Sequence, residues 1–187
     1  MKYMFASDLH GSAYFCRKMV EAYKKEGAER LVLLGDLLYH GPRNDLPREY
    51  APKEVISMLN GLKDQIYAVR GNCEAEVDQM VLGFPVMADY ALLVLGGAVF
   101  YATHGHVFHK DNLPPMAEGD VLIHGHTHLW KAEKLGNCYC LNPGSVSIPK
   151  GGNPPTYGLY TWGEGPGEKG VFAIKDFEGN ILKSLEL

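Results

Sequence analysis

Residues 121–128 read Val121-Leu122-Ile123-His124-Gly125-His126-Thr127-His128, an apolar run that passes directly into three histidines within five positions. The run has the character of a short buried strand, so the histidines stand at its carboxyl end. In an extended segment successive side chains point to opposite faces, which puts His126 and His128 on one face, able to grip one metal ion or two adjacent ones. Gly125, lacking a Cβ, lets the backbone bend and come close to a bound ion. A surface histidine cluster or a satisfied turn would show the same spacing, so the rest of the chain must separate the readings.

The pattern recurs upstream. Lys2 to Ser7 is an apolar-rich run ending in Asp8-Leu9-His10-Gly11, a buried strand handing over to a loop in which Asp8 and His10 can face one metal. Ser12 is a plausible N-cap, and Phe15, Met19, Val20 and Tyr23 recur at helical spacing until Gly27 closes the segment. Leu31-Val32-Leu33-Leu34 is continuously apolar, as a strand buried on both faces would be, and ends in Gly35-Asp36. Strand, helix and parallel strand form a right-handed unit whose ligands gather outside the carboxyl ends of the strands. Pro52 then opens a helix carrying Val55, Ile56, Leu59 and Leu62, and Ile66 to Arg70 forms a third strand that delivers Gly71-Asn72-Cys73-Glu74. The Asn72 oxygen is a neutral hard donor suited to a divalent ion.

From here hairpins replace the strand-helix alternation. Leu92 to Leu95 and Ala98 to Tyr101 flank Gly96-Gly97, and the second of these strands runs into Thr103-His104-Gly105-His106. Leu135 to Cys138 reads as another turn, with Cys138 and Cys140 on one strand face as small core residues. The stretch from Asn142-Pro143-Gly144-Ser145 to Pro155 is a long irregular loop of the functional or mobile kind, and its Lys150 could touch substrate, although exposed lysines usually meet only water. Gly163 to Gly170 is a tolerant surface loop, and Gly170 to Ile174 with Ile181 to Leu185 completes a terminal hairpin.

With 187 residues, 46% of them hydrophobic, the chain fits one well-filled domain spanning 1–187. A formal net charge of -4 and pI near 6.0 leave no overall basic field for nucleic acid or an acidic membrane surface. Cys16, Cys73, Cys138 and Cys140 form neither a C-x-x-C pair nor a dense disulfide framework, and no signal peptide or long apolar span is visible. The expected location is the reducing cytoplasm.

Five strand ends therefore carry candidate ligands: Asp8 with His10, Asp36, Asn72, His104, and His126 with His128. A buried structural histidine needs one hydrogen-bond partner, not a collection of acids and imidazoles. The order Asp8-x-His10, Gly35-Asp36, Gly71-Asn72, His104, Gly125-His126-x-His128 resembles the calcineurin-like metallophosphoesterase superfamily. His40-Gly41-Pro42-Arg43-Asn44, Gly71-Asn72-Cys73, Glu76 to Met80 and the Asn142 to Pro154 loop extend the likeness to a small bacterial phosphodiesterase of that group.

The resemblance implies an α/β fold, a four-layer α/β/β/α sandwich of two mixed β-sheets flanked by helices. It also implies that Asp8, His10, Asp36 and His128 hold one metal, and that Asp36 bridges to a second held by Asn72, His104 and His126. The choice of His104 over His106 follows the family's motif placement. Two divalent ions are implied, manganese foremost, with iron, zinc, cobalt or nickel also suited to mixed nitrogen and oxygen ligands. Such a site keeps about two positive charges beyond its aspartates, and the implied chemistry is attack of a metal-bridging hydroxide on a small phosphate ester, most simply a phosphodiester. His40, Arg43, Asn72 and Cys73 are the candidates for contacting that substrate, and Asp36, Asn72, Cys73 and His106 for catalysis.

One position departs from the pattern. Many superfamily members carry a histidine directly after the metal-binding asparagine, where this chain has Cys73, and a thiol is an inefficient proton donor to an alkoxide. Good leaving groups would then be favoured, or His106 or His40 supplies the proton. The competing reading is a metal-binding interaction scaffold of the same fold with little or no catalysis, as a retromer subunit of this fold is. That subunit is depleted at the ligand positions, which are all filled here. The acidic balance disfavours a nuclease, and a homo-oligomer is expected.

Overall fold

The computed structural model describes residues 1–163, 165 and 169–187, so the loop expected over 163–170 falls partly outside the described residues. Strand β1 (Lys2–Ala6) leads into helix α1 (Ala13–Glu26) and back to β2 (Arg30–Leu33). Ser12 caps α1 by accepting from the Phe15 N–H at 3.3 Å, and Gly27 closes it in the left-handed conformation. Helix α2 (Pro52–Asn60) begins on its proline, with Leu62 beyond its end, and β3 (Ile66–Ala68) follows. β3 is shorter than its apolar run suggests, because the Arg70 N–H turns away to the Ala88 carbonyl at 2.7 Å.

Helix α3 (Glu76–Val81) has no buried residue, and so no apolar stripe announces it in the sequence. The remaining elements are strands: β4 (Tyr90–Leu95), β5 (Ala98–Thr103), β6 (Val121–Ile123), β7 (Lys131–Leu135), β8 (Cys138–Asn142), β9 (Thr156–Thr161), β10 (Val171–Asp176) and β11 (Ile181–Glu186). The hairpins at Gly96-Gly97, at Leu135 to Cys138 and at the C-terminus are present. Both Gly96 and Gly97 take positive φ, as a two-residue hairpin turn requires.

The strands form two mixed sheets, ordered β11-β10-β9-β1-β2-β3 and β4-β5-β6-β8-β7. β1, β2 and β3 are mutually parallel, as are β5, β6 and β8, and each parallel set has its carboxyl ends at one edge. Strand β9 was not evident in the sequence, where Gly158 breaks the β-forming run Thr156 to Thr161. It nevertheless lies at the centre of the first sheet between β1 and β10. A Cβ on Gly158 would collide with the Phe172 ring, so glycine permits that aromatic to cross the strand.

Two cores follow from alternation along the buried strands. Met4, Ala6, Leu31 and Leu33 meet Cys16, Met19, Tyr23, Val55 and Leu59 of α1 and α2. Phe5, Val32, Tyr160 and Phe172 face the other way and meet Phe100, Val121, Ile123 and Leu141 of the second sheet. The Phe5 and Phe100 rings stack at 5.9 Å. Strands buried on both faces must be apolar at every position, which is why β1 and β2 show no polar alternation. The helices are few: among the described residues none follows α3, and the irregular connection 104–120 between β5 and β6 crosses part of the outer face of the second sheet, where the Tyr101 hydroxyl donates to the Pro115 carbonyl and the Cys138 thiol to that of Ala117.

Candidate metal centre

The loops that leave β1, β2, β3, β5 and β6 converge at the carboxyl edge of both sheets and bring the predicted ligands together. The nearest side-chain atoms of Asp8, His10 and His128 lie within 4.8 Å of one another, and so do those of Asp8, Asp36 and His104. Around His104 Nε2 stand Asn72 Oδ1 at 3.1 Å, His126 Nδ1 at 3.3 Å and Asp36 Oδ2 at 3.4 Å. His128 Nε2 lies 3.4 Å from both Asp8 Oδ1 and His10 Nε2.

The route to this convergence differs from simple strand alternation. Asp8, His10, Asp36, His126 and His128 all adopt positive φ, between 50° and 66°, and Glu49 is the only other described non-glycine residue that does so. Each such residue costs roughly 1–2 kcal/mol, so backbone strain is concentrated at the ligands. At these five candidate ligands it is the left-handed turn, rather than an extended strand, that aims the side chain, whereas Asn72 and His104 keep negative φ. Gly125 also plays a different part: its φ is ordinary, but a Cβ would strike Ser7 Oγ and approach Asp8 Oδ2 to 2.7 Å. It permits the 124–128 loop to lie against the 7–10 loop.

Each carboxylate is held by one oxygen and offers the other. Asp8 Oδ2 accepts from the His126 N–H at 3.0 Å, while its Oδ1 is buried with no hydrogen-bond partner and faces the imidazoles. Asp36 Oδ1 accepts from the Cys73 N–H at 2.9 Å, and its Oδ2 faces His10 Nε2 at 3.6 Å as well as His104. Three histidines are oriented the same way: Nδ1 of His10, His104 and His128 meets the carbonyls of Tyr39, Leu34 and Ile148 at 2.8, 2.6 and 2.7 Å. An Nδ1–H donated to a carbonyl leaves the Nε2 lone pair directed into the cluster, the arrangement that supports metal-ligating imidazoles. An unpartnered buried carboxylate oxygen among inward-facing imidazole Nε2 atoms is a donor set that fits divalent cations.

The protein groups perturb one another accordingly. Burial opposes ionisation of Asp36, yet the His104 contact and charge hold its carboxyl well below the usual range. Burial also disfavours charged His104, but Asp36 and Asp8 overcome it and push that imidazole up to about 9. Burial, helped by the His104 charge, lowers His126 to about 4. Cys73 is pushed far up by burial and by the adjacent Asp36 carboxylate, which keeps it a neutral thiol.

Three residues with supporting roles escaped the sequence reading. Glu74 is buried and accepts from the backbone N–H groups of Asp36, Leu37 and Gly71 at 2.8, 2.7 and 2.5 Å. Burial and the Asp36 charge raise it to about 6. Ser145 and Ser147 donate to the Asp8 carbonyl at 2.9 and 3.0 Å, so the irregular 142–155 segment fastens the first ligand loop. The signal available for these residues was only their place beside the motifs, because every one of these hydrogen bonds except that from Gly71 to Glu74 joins backbone distant in sequence.

The predicted substrate contacts separate. Arg43 and Cys73 line a recess of about 430 Å³ with Asp36, Asn72, Asn44 and Lys150. His40 packs edge-on between Tyr39 and Tyr50 instead of lining that recess. His106 stands beside the cluster, its ring 5.4 Å from that of His104, with Nδ1 buried and unpartnered. Of the cysteines, Cys140 is fully buried as expected, whereas Cys138 is only half-buried.

Comparison with known proteins gives a consistent picture. Residues 1–165 match the family model described as the calcineurin-like phosphoesterase superfamily domain. The chain is 52% identical over 159 residues to phosphodiesterase YfcE of Escherichia coli, covering 85% of this chain and 86% of that protein. A solved structure of YfcE, described as a phosphoesterase from E. coli, superposes with a TM-score of 0.92 at 45% identity, covering 99% of this chain and 98% of that one. Vps29 from Entamoeba histolytica, solved with zinc, shares the fold at a TM-score of 0.63 and 17% identity, covering 100% and 98% of the two chains.

Proposed function

The chain belongs to the calcineurin-like phosphoesterase superfamily and is a metal-dependent phosphate ester hydrolase, and from that premise we propose that it cleaves small phosphodiesters using two divalent ions. The first ion is assigned to Asp8, His10, Asp36 and His128, the second to Asp36, Asn72, His104 and His126. The observation that carries this reading is Asp36 Oδ2, one carboxylate oxygen set between His10 Nε2 at 3.6 Å and His104 Nε2 at 3.4 Å. The donor set mixes imidazole nitrogen with hard oxygen, which favours manganese and also suits iron, zinc, cobalt or nickel.

When bound, two such ions acidify a water, orient the phosphoryl oxygens and stabilise an in-line displacement. The chain's own residues then bind and orient. Arg43 and Lys150 bring positive charge to the recess beside Asp36 and Asn72, where they attract the phosphate. Cys73, a neutral thiol there, is a weak proton donor, so leaving groups that need little protonation are favoured. His106 is the nearby alternative donor, while His40 would reach the leaving group only by moving out from between its tyrosines. We assign the whole chain to a single domain acting in the cytoplasm, as a homo-oligomer. Among the described residues no helix is long and apolar enough to cross a membrane.

The test is hydrolysis of a bis-aryl phosphodiester and a mono-aryl ester with added manganese or with chelator. Manganese-dependent turnover with the diester preferred is the expected result. Preference for the monoester would remove the phosphodiesterase assignment, and absence of turnover with two bound ions would favour a scaffold.

A further inference from the structure

A second recess, of about 380 Å³, lies on the other side of His126. It shares only His126 and Thr127 with the recess that holds Arg43, Cys73 and Lys150. Its floor is the outer face of the second sheet, where Cys140 and Asn142 of β8 and His124 beyond β6 are all buried. The 104–120 connection closes one side with His106 and His109, and Leu129 stands on another. The exposed lining is mostly apolar, and the volume is in the range of small-ligand sites. The nearby charges balance: Lys131 pairs with Glu133 at 3.0 Å, and Lys110 is followed at the rim by Asp111.

A phosphodiester differs from a monoester in having a second arm that stays on phosphorus when the first leaves. The positive side chains of Arg43 and Lys150 and the Cys73 thiol line the first recess, which favours the phosphate charge and the departing oxygen on that side. We propose that the second recess binds the retained arm of the diester, and that it selects a planar, uncharged aromatic or heteroaromatic group. Flat imidazoles and Leu129 offer such a group contact surface without demanding charge, and a monoester leaves the recess unfilled. This inference rests on the phosphodiesterase reading and adds the class of arm that the site prefers.

Two diesters with the same aryl leaving group separate the roles, one retaining an aryl arm and one retaining a methyl. The wild-type protein with manganese is expected to prefer the bis-aryl ester in kcat/KM by roughly tenfold or more, the scale of one well-filled apolar pocket. Leu129→Trp and Lys110→Trp, which fill the recess from different walls at exposed positions, are expected to bring that ratio towards one. An equal rate for the two esters in wild type, or a ratio unmoved in both variants, overturns the inference while leaving the hydrolase reading intact. Loss of metal-dependent turnover on every ester, wild type included, would instead overturn both.

Discussion

Asp8 Oδ1 is the sharpest single sign of what the centre is suited to hold: a buried carboxylate oxygen with no donor, 3.4 Å from His128 Nε2 and 3.8 Å from His10 Nε2. A cation satisfies all three atoms at once. His104 gives this a pH dependence, since its imidazole, raised to about 9, holds a proton at neutral pH on a ring whose Nε2 lone pair the cation needs. Metal binding at pH 7 should therefore release about one proton at this residue. Apparent affinity should climb with pH and level off near 9. Calorimetry in buffers of different ionisation enthalpy reads the proton directly, and a proton count of zero would contradict the assignment. Cys73→His is expected to raise the rate on alkyl esters more than on aryl esters, by supplying a proton where leaving groups need one. An unchanged alkyl-to-aryl ratio in both Cys73→His and Cys73→Ala would remove Cys73 from leaving-group chemistry. The candidate ligands were legible in the sequence because acids and histidines are rare directly after apolar runs. Their left-handed backbone was not, because φ at Asp8 or His126 is imposed by neighbours such as Gly125 and Ser145 that pin the loops from elsewhere in the chain.

The elements matter through their ends. Glu74 ties the end of β2 to the end of β3 by three backbone hydrogen bonds, so it holds Asp36 and Asn72 in a fixed relation. Glu74→Ala should lower manganese affinity about 10–100-fold, the usual cost of losing a group that orients ligands. It should also destabilise the fold by about 2–4 kcal/mol through stranded buried donors. Isothermal titration on folded variant decides it: unchanged affinity in a merely destabilised protein would make Glu74 a structural residue only. Periodicity revealed α1 and α2, whose buried stripes include Cys16, Met19, Tyr23, Val55 and Leu59. It could not reveal α3, which buries nothing, nor β9, whose Gly158 reads locally as a break but makes room for Phe172. Strand edges differ in a way that bears on association. β7 and β11 carry lysine and glutamate and β3 is three residues long, but β4 (Tyr-Ala-Leu-Leu-Val-Leu) has no charge and exposes Tyr90, Leu92 and Val94. An unguarded edge of this kind supports pairing with a second copy. Light scattering should show an oligomer that Leu92→Lys converts to monomer, and a monomeric wild type would contradict that expectation.

At the scale of the molecule, two parallel sets of strands, β1-β2-β3 and β5-β6-β8, belong to different sheets yet bring their carboxyl ends to one edge. Neither sheet supplies the whole candidate set: Asp8, His10, Asp36 and Asn72 follow strands of the first, and His104, His126 and His128 follow strands of the second. The packing of Phe5, Val32 and Phe172 against Phe100 and Ile123 therefore sets the distance between the two halves of the centre. This division was readable as a change from strand-helix alternation to hairpins, while the face-to-face docking that unites the halves depends on side-chain packing that no local pattern encodes. We propose that both halves together hold two ions and that hydrolysis needs both. This proposal is tested most directly by adding manganese stepwise to chelator-treated protein while following diester hydrolysis, in wild type and in Asp36→Asn. Turnover is expected to saturate at two equivalents per chain in wild type and to stay at background in the variant. Full turnover at one equivalent, or in Asp36→Asn, would contradict it.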